Sequence, residues 1–227
     1  MGNPSTADGL IRLLAARFRV ITLGGVAVIS HGLGRNTHDA DVWVEPLESP
    51  VDWAAEVGGV VFASRSARPV RIGTCAPFPA EDLANVIGDD KVFRVMGLDR
   101  PLDIFREPNE LEIAEFDEVW ERAVALDDGT RVPDAIDLLV TKQATDRDKD
   151  MQDIAFLEAK AEREYLARLP SAGAEEAAFM LGRFLTPKVA ELGLRHPEES
   201  VRKLSLGYLK ELAAEGDPFA REILDRV

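Results

Sequence analysis

Apolar positions in the first part of the chain switch between helical and strand spacing. After Thr6, the residues Leu10, Ile11, Leu14 and Phe18 recur at intervals of three and four, which predicts an amphipathic helix with Thr6 as its N-cap. Short apolar runs bounded by glycine, proline or aspartate predict strands. The predicted strands are Arg19–Leu23, Asp41–Val44, Gly59–Phe62, Val70–Ile72, Val92–Met96, Pro101–Phe105, Ala123–Leu126 and Arg131–Val132.

Two polar turns and several helical segments connect these strands. Gly97–Arg100 joins Val92–Met96 to Pro101–Phe105, and Asp127–Thr130 joins the last two strands, so each pair is predicted to form a hairpin. The helical segments expected between strands are Val26–Gly32, Asp52–Val57 and the later part of Pro77–Ile87.

From residue 133 onward the pattern is helical. One helix is predicted from Pro133-Asp134 to Lys142. A charged helix over Arg147–Tyr165 follows, and its expected apolar stripe is Met151, Ile154, Leu157 and Ala161. The tail is predicted to form the helices Ala174–Leu185, Lys188–Leu194, Glu198–Glu215 and Pro218–Arg226. We therefore expect an α+β protein with a mixed β-sheet flanked by helices in 1–132 and an all-helical C-terminal region in 133–227.

Composition excludes some classes of partner. The 227 residues are 46% apolar, enough for a sizeable core, and the net charge of -14 disfavours non-specific binding of duplex nucleic acid. Cys75 is the single cysteine, so the chain forms no internal disulfide, and its thiol is expected to be buried and inert. No apolar run reaches the length of a membrane span. We expect a cytoplasmic protein with no membrane partner.

Candidate chemistry concentrates in Leu23–Val44. Gly24 and Gly25 lack a Cβ, so their backbone allows a phosphate to approach closely. Asp39 and Asp41 are spaced by one residue and therefore point to the same side of a strand. Two such carboxylates repel each other unless a cation lies between them, and Mg²⁺ is a typical one. Further polar groups that can serve a nucleoside triphosphate are Arg35, for phosphate charge, and Thr37, a hydroxyl donor.

The order of these residues resembles the nucleotidyltransferase fold shared by polymerase beta-like enzymes. In that family a Gly-Gly or Gly-Ser pair is followed by a helix and then by Asp-x-Asp on a strand; here thirteen residues separate Gly25 from Asp39. The fuller pattern resembles the AbiEii-type and minimal nucleotidyltransferases. It comprises Gly24, Gly25, Ala27, His31, Gly32, Arg35, Thr37, Asp39 and Asp41. His31 is interpreted as a packing residue rather than a catalytic base.

The resemblance implies more of the site. A third carboxylate is expected on a neighbouring strand, and Asp103, a charge between Leu102 and Ile104, supplies it. The segment that closes the site in the family is similar to Lys142–Ile154, and Lys142 and Arg147 are expected to face the triphosphate. Residues 133–165 would thus complete the site, whereas 171–227 form a helical tail. For Asp150 and Asp153, an ion-pair network on a solvated helix is an equally good interpretation.

The implied reaction transfers a nucleotidyl group from ATP or another NTP to an acceptor hydroxyl, with two Mg²⁺ ions held by Asp39, Asp41 and Asp103. RNA, a protein or a small molecule are all candidate acceptors. One option is the toxin of a toxin–antitoxin pair, with an antitoxin as its partner. The alternatives are an aminoglycoside-type antibiotic nucleotidyltransferase and a catalytically inactive nucleotide-binding or interaction module of the same fold.

Overall fold

The fold is given by a computed structural model that describes residues 4–143 and 148–227. The chain divides into two compact units, Met1–Ile154 and Ala155–Val227. The first unit contains the whole sheet and the second is helical. The predicted α+β class, with a mixed sheet flanked by helices and a helical C-terminal region, is confirmed.

One mixed sheet is formed by the seven strands found in the described chain. They are β1 (Val20–Thr22), β2 (Ala40–Val44), β3 (Arg68–Val70), β4 (Val92–Met96), β5 (Leu102–Phe105), β6 (Val124–Ala125) and β7 (Arg131–Val132). Their order across the sheet is β3-β4-β5-β2-β1-β7-β6. The β2–β5 and β1–β7 pairs are parallel and the others antiparallel. Both predicted hairpins, β4–β5 and β6–β7, are confirmed.

Eleven α-helices lie in the described residues. They are α1 (Ala7–Ala15), α2 (Gly24–Ser30), α3 (Pro50–Val61), α4 (Leu83–Asp90), α5 (Phe116–Arg122), α6 (Ala135–Gln143), α7 (Asp148–Arg168), α8 (Ala174–Arg183), α9 (Pro187–Gly193), α10 (Glu199–Glu215) and α11 (Pro218–Leu224). Short 3₁₀ turns occur at Ala80–Asp82, Ile113–Glu115 and Leu169–Ser171. The predicted N-cap Thr6 accepts a hydrogen bond from the backbone of Gly9, as a helix start requires.

Strand alternation gives the sheet two different faces. On one face, Ala40, Val42 and Val44 of β2 join a core that includes apolar residues of α1, α3 and α4. On the other face, Trp43 lies in a second cluster with Ile21 and Phe116, and the Trp43 and Phe116 rings meet edge to face at 4.9 Å. Because side chains alternate along a strand, Asp41 shares the face of Trp43.

The register of three neighbouring strands places three charged residues in one row across that second face. Asp41 of β2 is the register partner of Asp103 of β5, and Asp103 is the partner of Arg94 of β4. Neighbouring strands lie about 4.8 Å apart, so successive members of this row are close enough to interact. The backbone itself, rather than a flexible loop, therefore holds the row together.

Three details of the sequence interpretation are wrong. Gly59–Phe62 is not a strand: most of it continues α3, which begins after the Ser49 cap, because a short apolar run fits a buried helix equally well. Cys75 is exposed rather than buried, in a turn where its φ is 54°. Met151 is 67% exposed and does not belong to a buried stripe, since Asp150 and Asp153 are the buried residues of that turn of α7.

The second unit has its own apolar cluster, centred on Ala190, Leu209, Ala220 and Ile223. Gly216, in the left-handed conformation, ends α10, and the side chain of Asp217 caps α11, as the sequence predicted. Buried His196 accepts a backbone hydrogen bond from Glu198 through Nδ1, so its Nε2 donates to the carbonyl of Ala172. Among the helices of the described chain, none has the length and apolar character needed to cross a membrane.

Candidate active site

A cavity of about 680 Å³ lies in the first unit, over the charged row of the sheet. It is lined by residues from six stretches of the chain between positions 23 and 150. They are Leu23, Gly24, Gly25, Arg35, Thr37, Asp39, Asp41, Ile72, Asp90, Val92, Arg94, Asp103, Phe105, Pro108, Asn109, Thr141, Lys142 and Asp150. Most of these side chains are polar or charged, so the cavity suits a charged ligand rather than an apolar one.

Gly24 and Gly25 begin α2 at the wall of this cavity. Gly24 has φ +59°, and a Cβ there would lie 1.9 Å from Oδ2 of Asp41. A Cβ on Gly25 would lie 2.5 Å from Oγ1 of Thr37 and 2.8 Å from Nη2 of Arg35. No side chain larger than hydrogen fits at either position without displacing a neighbour. The glycine pair thus lets the chain pass directly against the carboxylates and the phosphate-binding candidates.

Asp39 and Asp41 lie at the start of β2, Asp39 immediately before the strand and Asp41 within it. Oδ1 of Asp39 accepts a hydrogen bond from the hydroxyl of Thr37 at 3.1 Å. The pKa of Asp41 is raised to about 7, mainly by burial and then by the charges of Asp103 and Asp39, against the opposing charges of Lys142 and Arg94. Within the described chain, no side chain donates a hydrogen bond to the Asp41 carboxylate. This part of the site therefore has an excess of negative charge.

Asp103 is compensated by a residue that the sequence analysis missed. Arg94 donates from Nε to Oδ1 at 2.6 Å and from Nη2 to Oδ2 at 2.7 Å, which makes a bidentate pair. The Asp103 side chain is only 6% exposed, and that of Arg94 is 28% exposed. The bonds to Asp103 raise the pKa of the Arg94 guanidinium above its usual value, so Arg94 stays charged.

Two further cations line the cavity and share one buried acid. Nη2 of Arg35 donates to Oδ2 of Asp153 at 2.7 Å, and Nζ of Lys142 lies 3.1 Å from the same oxygen. Lys142 also donates to Asp150 at 2.9 Å. Because Asp153 is fully buried and Asp150 nearly so, this cluster differs from the solvated ion-pair network that was one interpretation of the sequence. It fixes both cations at the cavity wall.

The donor set can be tested for a divalent cation. Among the described residues, no group of three or more histidine, cysteine, aspartate or glutamate side chains is arranged to hold a metal ion. Asp39 and Asp41 are two closely spaced oxygen donors, and the raised pKa of Asp41 reflects a burial and a neighbouring negative charge that a cation there would offset. Mg²⁺ is commonly held by one or two carboxylates with the rest of its shell from water and substrate phosphates. The residues therefore fit a divalent ion brought together with a phosphate ligand.

The cavity brings together eight of the nine residues predicted from the sequence. These are Gly24, Gly25, Arg35, Thr37, Asp39, Asp41, Asp103 and Lys142. The ninth, Arg147, lies outside the described residues. His31 hydrogen-bonds through Nε2 to the backbone carbonyl of Pro133 at 2.9 Å and is not among the residues that line the cavity, which agrees with a packing role.

Two other carboxylates close to Asp103 in the sequence, Asp99 and Glu107, are weaker candidates for the third carboxylate because they lie in turns, and both have other partners. Asp99 accepts a hydrogen bond from the backbone of Ala7 at 2.7 Å, and Glu107 pairs with Lys91.

Comparison of the chain with models of protein families finds no match, and comparison with curated proteins finds none either.

Proposed function

We propose that the chain is a metal-dependent nucleotidyltransferase, which transfers a nucleoside monophosphate from an NTP to an acceptor hydroxyl. One observation carries the proposal. One cavity is lined by the Gly24–Gly25 pair, by the Asp39 and Asp41 carboxylates, and by the cations Arg35 and Lys142, although Lys142 is far from the others in the sequence. The sequence pattern that resembles the nucleotidyltransferase family names the same residues independently of their positions in space.

The charges of the cavity suit a triphosphate that arrives with a divalent ion. Asp39 and Asp41 would hold the ion, and its chemistry would be to offset charge on the phosphate oxygens during the transfer. Arg35 and Lys142, fixed by Asp153, offer cationic groups to the remaining phosphates. Two carboxylates without the ion would instead repel a triphosphate, so metal and nucleotide are expected to bind together.

The reaction needs positioning more than covalent help from the protein. The acceptor oxygen forms a bond to the α-phosphorus, the bond from that phosphorus to the bridging β-phosphate oxygen breaks, and pyrophosphate leaves. The acceptor proton passes to solvent through the open cavity. The family resemblance also suggests Asp103 as the base that deprotonates the acceptor hydroxyl, but its two hydrogen bonds from Arg94 disfavour that role. Arg35 and Lys142 hold the leaving phosphates in line.

The decisive experiment is a transfer assay. The full chain is incubated with each α-labelled NTP, Mg²⁺ and cell extract, and the label is followed into RNA, protein and small-molecule fractions. The test variants are Asp39→Ala and Asp41→Ala, and the matched control is Asp127→Asn, an exposed carboxylate in the β6–β7 turn away from the cavity. We expect transfer by the wild type and by the control, and none by the two variants.

The fraction that takes up label identifies the acceptor class. Label on RNA or protein would favour a toxin, whose antitoxin partner is then sought, and label on an added aminoglycoside would favour the antibiotic-modifying alternative. NTP binding without transfer to any fraction, unchanged by Asp41→Ala, would contradict the proposal and favour an inactive nucleotide-binding module.

A further inference from the structure

The feature that the family pattern does not explain is the pair formed by Arg94 and Asp103. Asp103 is the residue expected to complete a site for two divalent ions, yet both of its carboxylate oxygens accept short hydrogen bonds from one guanidinium. A carboxylate used in this way has little capacity left for a metal ion. The contacts of Asp103 therefore disagree with the expectation that three carboxylates together hold two divalent ions.

The pair is built into the sheet rather than formed by mobile surface groups. Arg94 and Asp103 are register partners on adjacent antiparallel strands, and Asp41 is the next residue in the row. Asp103 is almost completely buried, so removing its cation would leave an uncompensated charge in the floor of the cavity. A divalent ion would have to displace a bidentate guanidinium that the backbone holds in place.

We propose that Arg94 takes the place of the second divalent ion, so that the site binds a single divalent cation at Asp39 and Asp41. This inference rests on the proposed function for the nature of the ligand, an NTP with its metal. Asp103 then serves as the anchor of Arg94, not as a metal ligand. Nη1 of Arg94 has no hydrogen bond to any described residue, and Arg94 lines the cavity, so this group can donate to a phosphate oxygen.

A count of bound metal ions tests the inference without any measurement of catalysis. Free Mn²⁺ is measured by electron paramagnetic resonance as the full chain is titrated in the presence of α,β-methylene-ATP, and the same titration of the nucleotide alone is subtracted. We expect one Mn²⁺ per chain for the wild type and for Asp103→Asn. For Arg94→Met, which frees the Asp103 carboxylate, we expect the count to rise to two.

The chain offers a closely matched control for Arg94→Met. Arg122 and Asp137 form a second bidentate pair, with both distances 3.1 Å and with side-chain exposures of 24% and 6%, and neither residue lines the cavity. Arg122→Met should destabilise the fold to a similar extent and leave the count at one. Circular dichroism establishes that each variant is folded; if Arg94→Met is not, the wild type and Asp103→Asn decide the question.

Different failures have different meanings. Two Mn²⁺ ions in the wild type and one in Asp103→Asn would show that Asp103 is a metal ligand, and would overturn the inference while leaving the proposed function intact. A count that stays at one in folded Arg94→Met would show that Arg94 does not occupy the place of an ion. No bound Mn²⁺ in any variant, with or without the nucleotide, would overturn the proposed function and this inference together.

Discussion

The adjacent strands β2 and β5 each place an aspartate in the floor of the cavity, but only one of the two carboxylates is paired with a cation in the sheet. On β5, Asp103 has a guanidinium on both oxygens, supplied by Arg94 of β4. On β2, no side chain of the described chain donates a hydrogen bond to the neighbouring Asp41, and burial together with the charges of Asp103 and Asp39 raises its pKa to about 7. The difference shows that the chemical role of a carboxylate in such a motif depends on which side chain the neighbouring strand places beside it. The carboxylate on β5 is paired within the sheet, whereas the one on β2 has no such partner in the described chain.

The largest expected effect is the loss of transfer activity when the unpaired carboxylate of Asp41 on β2 is removed. Asp41→Ala removes a carboxylate that would hold the metal–nucleotide complex, and we expect transfer activity to fall by about 10³-fold or more. Pyrophosphate release measures the loss. The Asp127→Asn control should keep wild-type activity, and equal losses in both variants would contradict the assignment of the site.

An added methyl group tests how closely the backbone at Gly24 must approach β2. Gly24→Ala places a Cβ against Oδ2 of Asp41 at a φ of +59°, so we expect a loss of about 1–3 kcal/mol in the free energy of unfolding and about 10²-fold in activity. Gly59→Ala is the control, because Gly59 lies in α3 with no neighbouring atom within 4 Å of the added Cβ. There we expect a gain of about 0.5–1 kcal/mol. Urea denaturation compares the two; equal effects would refute the steric argument.

Breaking the pair between Arg94 and Asp103 tests how much it contributes to the stability of the fold. Asp103→Asn leaves the partly buried guanidinium of Arg94 without its carboxylate, and we expect a loss of about 1–3 kcal/mol in stability, measured by denaturant unfolding. Asp89→Asn is a matched control, since Asp89 forms only a long, exposed ion pair with Arg71 at 3.5 Å and should change stability by less than about 0.5 kcal/mol. Stability of Asp103→Asn equal to that of the wild type would mean that the pair does not support the sheet.

One substitution is expected to change stability in the opposite direction. Because the pKa of Asp41 is raised in the folded state, its carboxyl disfavours folding once it ionises, and this penalty grows as the pH rises from about 4 to about 7. Asp41→Asn should therefore increase the free energy of unfolding of the metal-free protein by up to about 4 kcal/mol at pH 8 and leave it nearly unchanged at pH 4. Thermal unfolding in the presence of a chelator measures this. A variant that is less stable than the wild type at pH 8 would contradict it.

Much of the site could be predicted from sequence because its residues follow a local order. The Gly24–Gly25 turn and the spacing of Asp39 and Asp41 are short-range patterns, and Asp103 was visible as a charge within an apolar strand. Arg94 was missed although a signal existed. The predicted hairpin strands, Val92–Met96 and Pro101–Phe105, flank a four-residue turn, and counting outward from that turn pairs Arg94 with Asp103. A charge pair at that position is what the cross-strand rule would have identified.

Other parts could not be predicted because they depend on long-range packing. Asp150 and Asp153 have the spacing of an exposed ion-pair network. Only the fold shows that both are buried, with Lys142 paired to Asp150 and Arg35 paired to Asp153. The Gly59–Phe62 run has strand-like residues, but the helix that begins at Pro50 extends to Val61. Local propensity does not decide between these states when the segment is buried.

The turn between β4 and β5 has a consequence for how this protein tolerates changes in length. Gly97 has φ +84° with no room for a Cβ beside the carbonyl of Ser66, Asp99 binds the backbone of Ala7, and Arg100 pairs with Asp8. Surface loops usually accept insertions and deletions. Here, removing or adding one residue would shift one strand of the hairpin relative to the other and turn Arg94 or Asp103 to the opposite side of the sheet. We expect this short exposed loop to be among the least length-tolerant segments of the chain.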